Sequence, residues 1–170
     1  MNLTEIRLLV LDVDGVLTDG RIGGASGGEA KRFHVHDGYA ILQWRRAGGV
    51  VALLSGRNSD ETANRAKELG IEWVRLGVAD KARGLEEILT EADVPASVAA
   101  YVGDDGPDLP AMERCGFAVA VADASPAVKK MAHYVTRRGG GRGAAAEVIE
   151  MILRKQKRWS AMPLGLTQGG

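Results

Sequence analysis

Residues 8–20, Leu8-Leu9-Val10-Leu11-Asp12-Val13-Asp14-Gly15-Val16-Leu17-Thr18-Asp19-Gly20, decide how the rest of the chain is read. Four consecutive apolar residues have the length and composition of a short strand buried on both faces, and the run stops at two carboxylates. In an extended chain residues i and i+2 point the same way. Asp12 and Asp14 therefore project together into the crevice beyond the strand's carboxyl end, where open parallel α/β sheets bind ligands. Gly15 then lets the backbone turn sharply. Two like charges this close repel each other, and such a pair is kept where a cation, a shared proton or a reaction uses it. Taken alone, the same residues also describe an acidic turn without chemistry.

Outward from this strand, residues 21–29 are rich in Gly and Ser, and Lys31-Arg32-Phe33-His34-Val35-His36 alternates in polarity. This predicts a hairpin over about 21–36, with its second strand at about 30–36. A helix is expected from Tyr39 to Ala47, ended by Gly48 and Gly49. The apolar run 50–54 is a second buried strand, stopping at Ser55, Gly56 and Arg57. Asn58 and Glu61 form a candidate capping box for a helix closed by Gly70. A strand near 73–76, a helix over 81–92, a strand over 98–102, a short helix over 108–114, a strand over 117–121 and a helix over 125–131 follow. After the glycines of 139–143 comes a last helix from 144 to about 157. Alternation at this spacing implies right-handed crossovers and a parallel sheet covered by helices on both faces, an α/β, doubly wound, Rossmann-like fold. No stretch between the polar clusters is long enough for a separate cap domain.

At 170 residues the chain is expected to form one domain over 1–157, with 158–170 as a loose tail. Lys plus Arg and Asp plus Glu both number 22, so no net charge draws it to nucleic acid or to an anionic membrane surface. No apolar run approaches the roughly 20 residues of a membrane helix. The one cysteine, Cys115, cannot form an internal disulfide, and Glu5 and Arg7 precede too short an apolar run for a signal peptide. A soluble chain in the cytoplasm is the expectation.

The polar clusters each follow an apolar run: Asp12 and Asp14 the first, Ser55 and Arg57 the second, Asp104, Asp105 and Asp108 the run 98–103. In a parallel sheet these strand ends share one edge, so residues distant in sequence converge on one crevice. Lys81, opening a helix, can join them. Carboxylates with one hydroxyl, one lysine and one arginine make a hard, oxygen-rich site, suited to Mg²⁺ and a phosphate.

Together, Asp12-Val13-Asp14-Gly15-Val16-Leu17-Thr18-Asp19-Gly20, Leu54-Ser55-Gly56-Arg57, Lys81 and Gly103-Asp104-Asp105-Gly106-Pro107-Asp108 resemble the four motifs of the haloacid dehalogenase superfamily of phosphohydrolases. The segments 33–39, 54–57, 101–105 with 108–110, 120–124 and 140–144 resemble, more narrowly, its capless branch that removes phosphate from 3-deoxy-D-manno-octulosonate 8-phosphate. The resemblance runs to about residue 153. It implies that Asp12 is the nucleophile, forming an aspartyl-phosphate, and that Asp14 is the general acid and then the general base. Mg²⁺ would be held by the Asp12 carboxylate, the Asp14 backbone carbonyl and Asp104. Ser55 and neighbouring N–H groups would hold phosphoryl oxygens, and Lys81 would stabilise their charge. Asp108 would orient Lys81 or a metal-bound water, and Asp105 is either a second support or a turn former. Gly56, Arg57 and Arg65 would serve the substrate, the two arginines gripping its carboxylate, and His34, Val35, His36, Asp37 and Gly38 fall on the substrate-contacting segment. The resemblance further implies a homotetramer in which the hairpin closes a neighbour's site.

Three positions depart from the family pattern: His36 stands where an arginine is usual, Leu42 where some members have another basic residue, and Ala146 replaces an arginine. They touch the choice of sugar and leave the phosphoryl-transfer set intact. A phosphatase for a nine-carbon sialic-type acid 9-phosphate is the near alternative, disfavoured by Arg57 after Ser55-Gly56. A phosphoaspartate receiver domain shares the fold class but leaves the Asp12/Asp14 spacing without a use. A catalytically silent binding subunit would not need an intact set.

Overall fold

Among the described residues, six short strands, Leu8–Leu11 (β1), Val50–Leu54 (β2), Trp73–Arg75 (β3), Ala99–Gly103 (β4), Phe117–Ala120 (β5) and Tyr134–Val135 (β6), form one sheet in the order β3-β2-β1-β4-β5-β6. Every neighbouring pair is parallel. This is a computed structural model, and it describes residues 2–21 and 31–159. The helices are Val35–Arg46 (α1), Asp60–Glu68 (α2), Lys81–Glu91 (α3), Leu109–Met112 (α4), Pro126–Met131 (α5) and Ala144–Lys155 (α6). No described helix is long and apolar enough to cross a membrane.

All four residues of β1 are fully buried, as a central strand covered on both faces requires. In register, Leu11 pairs with Leu53 of β2 on one side and Val102 of β4 on the other. The strand order reverses at β1, so the carboxyl ends of β1, β2 and β4 open onto one crevice. Trp44 and Ile41 of α1, Ile149 and Ile152 of α6, and Leu85 and Ile88 of α3 lie at 0–1 % exposure in the core. Burying side chains of this size contributes about 1.5–3 kcal/mol each.

The structure departs from the sequence-based expectation at four places. Residues 31–34 carry no strand, and Val35 and His36 belong to α1, which starts four residues before the expected Tyr39; the rest of the expected hairpin lies outside the described residues. The reason is local. The His34 ring nitrogen Nδ1 accepts the His36 N–H at 3.2 Å and caps the helix, and Asp37 in the first turn complements the helix dipole. Gly38 lies within α1, where the Arg65 guanidinium fills the space beside it: a Cβ there would lie 2.2 Å from an Arg65 nitrogen. The N-cap of α2 is Ser59, not Asn58; its hydroxyl accepts the Thr62 N–H and donates to Glu61 at 2.8 Å. The segment expected as a helix over 108–114 splits into a 3₁₀ turn, Gly106–Asp108, and the one-turn α4. β6 was absent from the expectation because two residues are too few for any periodicity to register.

Two long-range supports fix the loop that carries the carboxylates. The Gly141 N–H donates to the Val16 carbonyl at 2.9 Å, and a Cβ on Gly140 would come within 1.8 Å of the Gly15 carbonyl oxygen. Backbone lies directly on backbone, which only glycine allows. Asp37 caps α6 from another helix: its Oδ1 accepts the Ala146 N–H at 2.8 Å, where Gly143, the N-cap residue, has no side chain to offer.

Candidate active site

Asp12 leaves β1 with 4 % exposure, and its Oδ1 meets the Lys81 ammonium at 2.8 Å. Lys81 is the first residue of α3, capped by Asp80, and is 5 % exposed. The same ammonium donates to Asp108 Oδ1 at 2.5 Å. Asp108 is occupied on both sides: Oδ1 also accepts the Tyr101 hydroxyl at 2.8 Å, and Oδ2 accepts the N–H groups of Asp104 at 3.0 Å and Asp105 at 3.3 Å. That arrangement makes Asp108 an organiser of Lys81 and of the loop after β4. Asp105 is exposed and caps the 3₁₀ turn through the Gly106 N–H at 2.8 Å, the behaviour of a turn former.

Carboxylate oxygens of Asp12, Asp104 and Asp108 lie within 4.8 Å of one another. Gly15 permits this approach: it has φ +94, and a Cβ on it would sit 2.0 Å from Asp104 Oδ2. Burial, helped by Asp108 and opposed by Lys81, pushes Asp12 up to about 6. Burial, followed by the charges of Asp12 and Asp108, pushes Asp104 up to about 8. For Lys81 burial disfavours the charge, but Asp12 and Asp108 outweigh it and hold the ammonium above its ordinary value. Three carboxylates and one lysine leave an excess of negative charge, which the folded chain relieves by retaining protons.

Asp14 lies apart from this cluster. Its two oxygens are held by the Lys31 ammonium at 2.8 and 2.9 Å, with the Lys31 side chain 4 % exposed and that of Asp14 18 %. Ser55 is 1 % exposed, and its Oγ accepts the Arg57 N–H at 3.2 Å. Asp12, Asp14, Ser55, Gly56, Arg57, Lys81, Asp104, Asp105 and Asp108 line one cleft of about 350 Å³, joined by Gly20 and Pro107. A larger groove of about 610 Å³ lies between β6 and α6, but its acids are engaged: Glu147 accepts from Tyr134 and from the Arg137 and Arg138 N–H groups, and Glu150 pairs with Arg154. The smaller cleft is where reactive groups converge.

The remaining expected substrate residues are not on that cleft. His34, Asp37, Gly38 and Arg65 line a separate narrow recess with Phe33, and Val35 and His36 are exposed at the start of α1. Asp37 is 2 % exposed and faces α6; burial raises it, against the N–H of Ala146. Arg65 pairs with Glu68 at 2.7 Å and lies over the Phe33 ring. Of the departing positions, His36 is exposed, Leu42 half-buried, and Ala146 sits in the first turn of α6.

Lys31, Tyr101 and Gly20 were missed. Tyr101 had a signal, since a hydroxyl inside an apolar strand needs a partner. Lys31 had none, because exposed lysine is the default.

A parallel sheet with a buried aspartate at the tip of its central strand, a helix-borne lysine on it and an acidic loop beside it is the arrangement of a haloacid dehalogenase-like hydrolase, and the family model of that description matches residues 77–147. A 3-deoxy-D-manno-octulosonate 8-phosphate phosphatase of Haemophilus influenzae is 43% identical over 93% of this chain and 88% of its own length. The structure of a cobalt-bound form of the Haemophilus influenzae phosphatase superposes with a TM-score of 0.90 at 42% identity, covering 92% of each chain. The phosphatase of Moraxella catarrhalis, in complex with a magnesium ion, a phosphate ion and a 3-deoxy-D-manno-octulosonate molecule, gives 0.88 at 37% identity, covering 91% of this chain and 90% of that one. The chain belongs to the haloacid dehalogenase-like hydrolases, in the branch of these octulosonate 8-phosphate phosphatases.

Proposed function

We propose that this chain hydrolyses 3-deoxy-D-manno-octulosonate 8-phosphate to the free sugar acid and phosphate through an aspartyl-phosphate on Asp12, with Mg²⁺ as cofactor. The observation that carries the reading is the buried Asp12 carboxylate, bound to Lys81 and flanked by Asp104 and Asp108. The donor set fits a hard divalent cation: it is all oxygen, and it carries more negative charge than Lys81 neutralises. The Asp12 and Asp104 carboxylates and the Asp14 backbone carbonyl would hold the ion. Bound there, it supplies positive charge that offsets the repulsion between an anionic nucleophile and a phosphate dianion.

The chain's own groups divide the remaining work. The Asp12 carboxylate attacks phosphorus while the Asp14 carboxyl gives its proton to the departing sugar oxygen; the P–O bond to the sugar breaks as the Asp12–phosphorus bond forms. Asp14 then takes a proton from the water that displaces phosphate from Asp12. Lys81 stabilises the equatorial oxygens in both displacements. The Ser55 Oγ already accepts from Arg57, so its O–H is left to donate to a phosphoryl oxygen. Arg57, on the rim of the same cleft, suits the sugar carboxylate.

We assign the same fold unit to residues 1–157 as one catalytic domain, working in the cytoplasm as a homotetramer. Val35, 72 % exposed at the start of α1, supports an assembly that would cover it, which light scattering measures. The function is tested by phosphate release, with and without Mg²⁺, from the octulosonate 8-phosphate, a nine-carbon sugar acid 9-phosphate and simple sugar phosphates. The expected result is the highest kcat/KM for the first and loss of release with chelator. A flat ranking overturns the substrate, and metal-independent release overturns the mechanism.

A further inference from the structure

Asp12 and Asp14 are held by two different lysines, and only one of those lysines belongs to the cluster described by the strand ends. Lys31 comes from the segment that leads into α1, and it contacts both oxygens of Asp14. Its side chain is nearly enclosed, at 4 % exposure. An ammonium removed from water is retained where its partner is fixed and close, and a contact to both oxygens fixes the two side-chain torsions of an aspartate. Lys31 does not line the cleft, whereas Lys81 does. Its ammonium meets both Asp14 oxygens.

We propose that Lys31 is a positioning residue for proton transfer: it holds the Asp14 carboxyl group in the orientation from which a proton reaches the leaving oxygen and is later recovered from water. The assignment rests on the phosphatase reading above. Only Arg32 and Phe33 separate Lys31 from His34, the N-cap of α1, and Phe33 lies beneath Arg65. The strand-end cluster governs the phosphoryl group, while this segment governs the group that departs with the sugar. Displacing a reacting group by about 1 Å is enough to lose about 10²-fold in rate.

The test compares kcat/KM, which reports formation of the aspartyl-phosphate, for wild type and Lys31→Met across phosphate monoesters graded from the sugar phosphate to aryl phosphates. A sugar alkoxide needs the proton that Asp14 gives, and an aryl oxide leaves without it. The expected loss is about 10²-fold on the sugar phosphate, shrinking to a few-fold on the aryl esters. Lys31→Arg, which keeps charge and reach, should recover most of the sugar-phosphate rate. An equal loss across the series, or a loss carried by KM alone, overturns the assignment and makes Lys31 a scaffold or substrate contact. If Lys31→Met does not fold, Lys31→Gln, close in length and uncharged, carries the same expectation. Failure of the wild type to release phosphate from any ester overturns the phosphatase reading itself, a result distinct from either.

Discussion

Asp12 and Asp14 are two residues apart and are held by different parts of the molecule. Asp12 is built into the sheet: its N–H donates to Val102 of β4 at 3.1 Å, and its carboxylate meets Lys81 at the first turn of α3, which also grips Asp108. Asp14 is held by one lysine from a segment outside the sheet and is more exposed. A nucleophile must meet phosphorus along a fixed line, so a rigid strand tip suits it. An acid that becomes a base must serve a sugar oxygen and then a water, and in the proposed assignment that falls to a side chain held by Lys31. The difference teaches that the two carboxylates assigned to the proposed reaction are held by different parts of the molecule although both line one cleft.

The comparison can be broken most sharply at Asp12. Asp12→Asn keeps the shape and removes the proposed nucleophile, so phosphate release should fall by roughly 10⁴-fold or more, the scale on which loss of a catalytic nucleophile acts. Turnover within tenfold of wild type would end the covalent mechanism. Lys81→Met comes next. It removes the charge that Asp12 and Asp108 share, with an expected loss of about 10²–10³-fold in kcat and, because buried carboxylates are left unpaired, about 3–5 kcal/mol of stability. Thermal melting separates the two effects. A variant that melts like wild type would show that Lys81 is not what holds the cluster together.

The smallest effect concerns pH. Asp12 at about 6 and Asp104 at about 8 keep protons that the unfolded chain has lost above the ordinary carboxylate range. Without metal, stability is therefore favoured at low pH and declines as pH rises from about 4 through 8, because the folded state must give up those protons. A divalent cation displaces the same protons. Its stabilisation should then grow with pH, by up to about tenfold in affinity per pH unit for each proton released. Melting curves with and without Mg²⁺ at pH 5, 6.5 and 8 read this directly, and a shift independent of pH would remove these carboxylates from the metal site.

The sheet and most of the cleft were legible because their signals are local. The apolar runs ending at Asp12, Ser55 and Asp104 are each a few residues long, and parallel topology brings their ends together without further information. The helix starts were less legible. At Val35 and Ser59 a single side-chain-to-backbone hydrogen bond moves the boundary, and the competing candidates lie within a few residues. The Lys31 to His36 alternation misled for the same reason: six residues of period two weigh less than one cap.

By itself the sequence determined the alternation of β1 to β5 with their helices and the set of groups at three strand tips, since burial pattern and turn chemistry are written in adjacent residues. Only the tertiary structure decided that Lys31 clasps Asp14, that Tyr101 braces Asp108, that Asp37 turns from the cleft to cap a helix 109 residues away, and that Gly140 lies against Gly15. Those pairings depend on how distant segments close on one another. A lysine, a tyrosine or a glycine carries no local mark of the partner that packing will give it.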